Sequence, residues 1–546
     1  MKPTKQQQSI IDYHDNSVII AAPGSGKTFV ISEKVRYDIS ELYDFQGVIA
    51  ISYTNKASNE LKTRCLKDGL DARSSFFGTI DSFFISEIII PFGKHLWGIP
   101  ENSFNTIKLS DIQDSEQIDF SWLSRDLEER DLKTEYLDTI GRYFKNGILI
   151  LESVGVIANF IFTQSKACKK YFKARYKAIY IDEYQDSGLN QHTLFIKLTK
   201  LGIIGVAVGD INQSIYGFSG KDSRYLNLLS NNKEFSSFLL NKNHRCHPSI
   251  INYSNHLLNS NTHLFDTNEI RVFKAIITGA EVSIAKWIDS ILDWVKKKYN
   301  ISHNSQIAIL GRSTRTIEII DNNLKAPHKL SKTTNLELSL NIWSGIFVNL
   351  LRFALDDKYK FIEIIEAFTS WDHFNSSEKR TLIESKQNIK NLFEDKNLNH
   401  DEIISVFKKV SKIIAPESPE GDSLLLLEEV LSDKSQLNAF LPVADHEVQI
   451  MTLHKSKGLE FDLVIHLDLN EWILPSKGPT NGDWNNPCFP SWTQDINLHY
   501  VGITRAKEAC FLLTSTQRSN SRGGISQGSP SEFFLENNLN SLRIDI

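Results

Sequence analysis

The sequence predicts an α/β fold of two parallel-sheet domains flanked by helices, with mostly helical inserts. Length is the first observation: the chain has 546 residues, and a single hydrophobic core usually stops growing at roughly 250 to 300 residues. Patterning is the second. Short β-rich runs at 18–21, 48–52, 179–181 and 206–208 alternate with segments of helical apolar spacing, as in a sheet with crossover helices, and runs at 307–310, 463–467 and 511–514 supply a second set.

Composition narrows the function classes. With 41% hydrophobic and 23% charged residues, the chain reads as an ordinary soluble globular protein. Lys plus Arg number 61 against 66 Asp plus Glu, a net charge of -5, so any nucleic-acid surface must be local. The cysteines, Cys65, Cys168, Cys246, Cys488 and Cys510, lie far apart with no C-x-x-C pair, which fits reduced thiols in a cytoplasm. The opening "MKPTKQQQSI" lacks the apolar core of a signal peptide. The longest apolar stretch, 147–162, is interrupted by Glu152 and Asn159 and reads as a buried helix. A soluble, cytoplasmic chain without a membrane partner is expected.

The first element with chemistry is "SVIIAAPGSGKTFVISEKV", a β run, a glycine turn and a helical pattern. That order makes a phosphate cradle from Ala22, Pro23, Gly24, Ser25, Gly26, Lys27 and Thr28: backbone amides and the helix N-terminus face the phosphates, Lys27 reaches the β/γ oxygens, and the Thr28 hydroxyl holds magnesium. Gly24 and Gly26 matter because a Cβ would obstruct the turn or the phosphate. Ala21 stands where the general P-loop pattern has its first glycine.

The second element, "KAIYIDEYQDS", is a β run ending in Asp182 and Glu183. Beside a phosphate loop, the first carboxylate binds magnesium and the second orients or deprotonates the attacking water. ATP or GTP hydrolysis is the reading. A third, "VGDINQSIYGFSG", sets Gln213 close to two aromatics, Tyr216 and Phe218.

In this order the motifs resemble the superfamily 1 helicases of the UvrD, Rep and PcrA type. "TKQQ" is similar to the family's adenine-reading glutamine motif, with spacing that favours Gln7 and leaves Gln6 as the alternative; "VIAISYTNKASNELKTR" and "GTIDSFF" resemble its strand-contact motifs, with Asp81 where a histidine is usual. "LNKNHR", "VQIMTLHKSKGLEFDLVI", "YVGITRAK" and "SPSEFF" follow in the family's order. The resemblance implies two RecA-like motor domains, ATP and Mg2+ as cofactors, and single-stranded DNA or DNA with a 3′ tail as partner.

By position it makes Gln213 the γ-phosphate sensor, Tyr216 and Phe218 base-stacking faces, and Arg245 and Arg505 the arginines entering the cleft from the second domain. Permanently charged planar forks suit that role. Gly458 and Glu460 become contacts near the nucleotide. Tyr53, Thr54, Asn55 and Thr79 line the groove on the first domain, and Thr452 and His454 on the second. The implied domains are 1–90 with 147–236, the first motor domain; 91–146, a helical insert; 237–324 with 448–546, the second motor domain; and 325–447, a reduced helical insert.

Several departures stand out. Phe29 and His244 occupy the positions of the family's adenine-sandwiching arginine and tyrosine, so rings can stack on a base without a fixed cation. Ser219 replaces a strand-touching arginine, which removes one phosphate contact, and "DINL" at 495–498 replaces an arginine-rich segment. The inserts are shorter than those of full UvrD-type helicases. Two functions compete: an ATP-driven 3′-to-5′ translocase and helicase, and a DNA-stimulated ATPase that serves a partner nuclease. Compact UvrD-like proteins of Gabija-type phage defence, which accompany an OLD-family nuclease, fit the second.

Overall fold

The computed structural model describes residues 2–102, 104–112, 117–124, 127–217, 221–339, 341–369, 371–394, 398–416, 418, 420–520 and 524–546. Two large sheets organise it. The first runs, in spatial order, Phe76–Gly78, Gly47–Ile51, Tyr176–Ile181, Ile204–Gly209, Ser17–Ala21 and Ser236–Leu240, with every neighbouring pair parallel. The second runs His328–Leu330, Val448–Thr452, Ile307–Gly311, Phe461–His466, Ala506–Ser515, Val272–Ile277 and Ile544–Asp545, again parallel throughout. Parallel strands are covered by helices on both faces, which is why GVIAI at 47–51 is buried at every position.

Three expected boundaries move. Ser236–Leu240 pairs with Ser17–Ala21, so the first lobe continues through residue 240 instead of ending at 236. His328–Leu330 pairs with Val448–Ile450, so the first residues of the expected insert at 325–447 belong to the second sheet. Ile148–Ile150 forms a parallel ladder with Asn105–Ile107, which carries the first insert past residue 146. In each case the backbone ladder, absent from local sequence patterning, decides the owner of the segment.

The inserts differ in how they are held. Phe92, Phe120, Trp122 and Phe144 of the first insert share one buried cluster with Val18, Ile49 and Phe162 of the motor domain. Residues Leu336 to Phe440 bury a core of their own around Phe347, Phe407 and Leu427. The apolar stretch at 147–162 ends in the helix Val154–Gln164, whose interior is buried. Among the described residues no helix is long and apolar enough to cross a membrane.

Candidate nucleotide cleft and strand groove

Three adjacent strands of the first sheet, Tyr176–Ile181, Ile204–Gly209 and Ser17–Ala21, end side by side. Their carboxyl ends therefore present Asp182, Asp210 and the loop from Ala22 to one crevice, the usual ligand position in such sheets. Gly24 and Gly26 hold left-handed backbone, φ +65° and +87°. A Cβ on Gly24 would stand 2.6 Å from Arg245 Cβ, and one on Gly26 2.6 Å from Gln7 Nε2. Gly26 is the N-cap of the helix Lys27–Ser40 and supplies no side-chain cap, so the first helical amides stay open to a ligand. Buried Ser25 Oγ has no partner, and Thr28 is the second residue of the helix. These features fit a nucleotide's phosphates.

Gln7 lies buried against this loop. Its Nε2 donates to Ser25 O (3.0 Å) and its Oε1 accepts from Thr4 N (2.9 Å), closing a capping box on the helix Lys5–Ile11. The neighbouring Gln6 is half-buried and reaches away toward Leu239 O.

Lys27 Nζ pairs with Glu183 Oε1 at 3.2 Å. Burial alone would lower its pKa; Glu183, then Asp210 and Asp182, outweigh that and raise it. Burial, then the Glu183 charge, pushes the Asp182 carboxyl up to about 7. Burial would also raise Glu183, but Lys27 and then Lys457 hold it down to about 2, helped by a hydrogen bond from Gln185. Glu183 itself sits at φ +56°, a left-handed conformation uncommon for a residue with a Cβ. Buried Asp182 and Asp210 and half-buried Glu183 thus face one lysine, and among the described residues no cluster of three or more His, Cys, Asp or Glu side chains is arranged to hold a metal ion.

The second lobe enters this crevice through Arg505, 2% exposed, whose guanidinium donates to Leu459 O, Val501 O and, at 3.4 Å, Gln213 Oε1. Burial, then the nearby Arg245, lowers its pKa to about 10. Gln213 Nε2 in turn donates to Asp210 Oδ2 (2.9 Å). Arg245 lies on the segment joining the two sheets, against Gly24, next to Cys246 of the second lobe's core. Its Nε stands 2.8 Å from Glu460 Oε2, and Glu460 also pairs with Lys507. Gly458 has φ +83° and open space around a built Cβ, so only backbone conformation demands glycine there. Phe29 packs against the core beneath the loop, and exposed His244 donates its backbone N–H to Gly24 O (2.9 Å).

A row of rings crosses from one lobe to the other. Tyr53 stacks on Tyr216 at 4.9 Å, and Tyr216 stands 6.2 Å from His454. Burial, then Arg312, lowers the His454 pKa to about 4, so the ring is neutral near pH 7. Thr54 and Thr79 cap helices of the first lobe: Thr54 Oγ1 accepts from Ala57 N, and Thr79 Oγ1 from Ser82 N. Asn55 is the first residue of the helix Asn55–Cys65, and Thr452 ends its strand, its Oγ1 accepting from Lys455 N (3.4 Å). Phe218 lies outside the described residues.

Sequence reasoning missed four residues of this assembly: Asp210, Gln185, Asp186 and Lys457. Asp210 carries the same signal as Asp182, a carboxylate ending a β run beside the phosphate loop. Gln185 Oε1 accepts from Asp210 N (3.0 Å) while its amide reaches Glu183. Lys457 donates to Asp186 Oδ2 (2.5 Å) and Gln213 O (2.8 Å) and lies over the Tyr216 ring. No local pattern announces contacts between such distant segments.

Comparison with known proteins agrees with this geometry. The UvrD/REP helicase N-terminal domain model matches residues 3–91 and 99–236, and the UvrD-like helicase C-terminal domain model matches 352–517. The chain is 27% identical to the Gabija protein GajB of Bacillus cereus, over 94% of this chain and 95% of that protein. It is 23% identical to the ATP-dependent DNA helicase PcrA of Staphylococcus aureus, over 98% of this chain and 86% of that one. A probable DNA helicase II homolog of Mycoplasma genitalium is 22% identical, over 94% and 85%. With a phosphate loop, a carboxylate pair and a cross-lobe arginine in one crevice, and both family models aligned along it, the chain belongs to the UvrD-like helicases.

Proposed function

We propose that the chain is an ATP-driven 3′-to-5′ translocase and helicase on single-stranded DNA. One short segment carries the proposal. Gln213 contacts Asp210 and Arg505 in the cleft, and Tyr216, three residues on, stacks with Tyr53 in the groove. A segment that touches both sites couples them, because each ligand then biases the same element. Stacking is indifferent to base identity and worth roughly 1 to 3 kcal/mol per base, which suits a motor that must pass over any sequence.

Bound ATP with Mg2+ would supply the phosphoryl group and its charge neutralisation. The chain's own residues do the rest. Lys27 and the loop amides hold the phosphates, Asp182 and Thr28 the cation, and Glu183, ionised by its cationic neighbours, orients and deprotonates water. Arg245 and Arg505 supply positive charge, and Gln213 reports on the last phosphate. Gln7 reads the base, with Phe29 and His244 as flanking rings.

A second reading is a DNA-stimulated ATPase that regulates a partner nuclease in antiviral defence, with little unwinding of its own. The end-to-end match to the Gabija protein favours it, since 95% of that protein's length is covered.

The test is ATP hydrolysis with and without single-stranded DNA, together with strand displacement on duplexes bearing 3′ or 5′ tails, for wild type and Glu183→Gln. Displacement from the 3′ tail alone, lost in the variant, supports the autonomous helicase. Stimulated hydrolysis without displacement supports the regulatory subunit. Absence of hydrolysis overturns the cleft assignments.

A further inference from the structure

The groove contains a cation that neither the motifs nor the mechanism uses. Lys221 Nζ donates to the Tyr53 hydroxyl at 3.0 Å and lies 4.1 Å from the centre of the same ring. Together with Tyr53, Thr79 and Asp81 it lines a small cavity that runs down to Asp182 and Glu183. Among the described residues no carboxylate comes within 4.0 Å of this ammonium, so only a neutral hydroxyl and a ring face hold it. Asp81, exposed on the same wall, and Asp186 are the acids that act on it from farther away. Burial, opposed by these two carboxylates, lowers the lysine's pKa, the behaviour of a cation stripped of water without a full counter-charge.

We propose that Lys221 is a contact for a backbone phosphate of the bound strand, and that Asp81 competes with that phosphate for the ammonium. The inference rests on the strand-groove reading above. A strand laid along the Tyr53–Tyr216 pair carries a phosphate past the Tyr53 hydroxyl and the ring face over which the ammonium already stands, and a phosphate there replaces the weak partners Lys221 has now. Asp81 then acts as a resident anion: it keeps Lys221 in place when the groove is empty and lowers strand affinity, which favours release as well as capture.

Fluorescence anisotropy of labelled oligothymidylate with the full chain tests this across a salt series. Each cation engaged by a single strand contributes about 0.7 to the slope of log K against log salt. Lys221→Gln should weaken binding and flatten the slope by about that amount, and Lys221→Arg should restore the slope, which separates a lost charge from a damaged loop. Asp81→Asn should tighten binding severalfold in the wild-type background and leave it unchanged beside Lys221→Gln. An unchanged slope in Lys221→Gln, or an Asp81→Asn effect of equal size in both backgrounds, overturns the proposal while strand binding stands. Wild type that fails to bind oligothymidylate at all overturns the groove reading as well.

Discussion

Lys457 of the second lobe and Asp186 of the first meet at 2.5 Å with side chains only 8% and 1% exposed. A buried pair of this kind resists the loss of one partner, because the other is left charged and dry, at a cost of about 3 to 5 kcal/mol. Here Asp186 has an escape: it can take up a proton. Lys457→Met should therefore destabilise toward the lower end of that range, and the double variant with Asp186→Asn should recover about 1 to 3 kcal/mol relative to additivity. Denaturant unfolding of the four proteins measures the coupling, and strict additivity would show that the lobes do not meet through this pair in solution.

Asp186 also sets a pH dependence. Burial raises its carboxyl to about 6, with Lys457 opposing. A raised folded pKa contributes stability that is fully present below the unfolded pKa and lost as pH rises through the folded one. Between about pH 4 and pH 7, Asp186→Asn should gain on wild type by at most about 3 kcal/mol. Parallel unfolding midpoints for the two proteins across that window would remove Asp186 as the titrating group.

Gly24 and Gly458 offer a contrast in what a methyl group costs. Both are left-handed, but only Gly24 also has Arg245 and Asn243 crowding the position of a Cβ. Gly458→Ala should cost only the backbone strain, about 1 to 2 kcal/mol. Gly24→Ala should add a displaced loop and weaken ATP binding by more than about tenfold, or 1.4 kcal/mol. Nucleotide titration of the two variants decides, and equal effects would mean that the crowding around Gly24 relaxes freely.

Tyr53 and Tyr216 stack on one another, so their removal should not be additive. Tyr53→Ala and Tyr216→Ala should each weaken single-strand affinity by about 1 to 3 kcal/mol, with a double variant less impaired than the sum. Fully additive losses in equilibrium binding would place the two rings on separate bases.

The sequence was legible where a function lies in consecutive residues. The phosphate loop needs a strand, a turn and a helix start in that order, and the apolar runs of both sheets are long enough to announce themselves. Ser236–Leu240 escaped because an edge strand alternates in burial and opens here with two serines. His328–Leu330 is three residues long, too short for any period. Lys457 and Asp186 are 271 positions apart, and nothing local distinguishes either from a surface charge. Ser219 lacks the cation of the family's pattern, while Lys221, two residues on in sequence, meets Tyr53 through a ring contact that no motif encodes.

The segment 241–247 joins the two sheets, and it leans on the phosphate loop: His244 N–H bonds Gly24 O at 2.9 Å, and Asn243 Oδ1 collects the N–H groups of Arg245 and Cys246. The link between the two sheets is thus fastened to the glycine loop itself. On the proposed reading, a nucleotide seated in that loop meets the link between the lobes before it meets either sheet. On that reading, lengthening this stretch by one residue should uncouple hydrolysis from strand displacement when both are assayed in one variant, whereas a larger insertion at the outer edge of either sheet should leave them coupled.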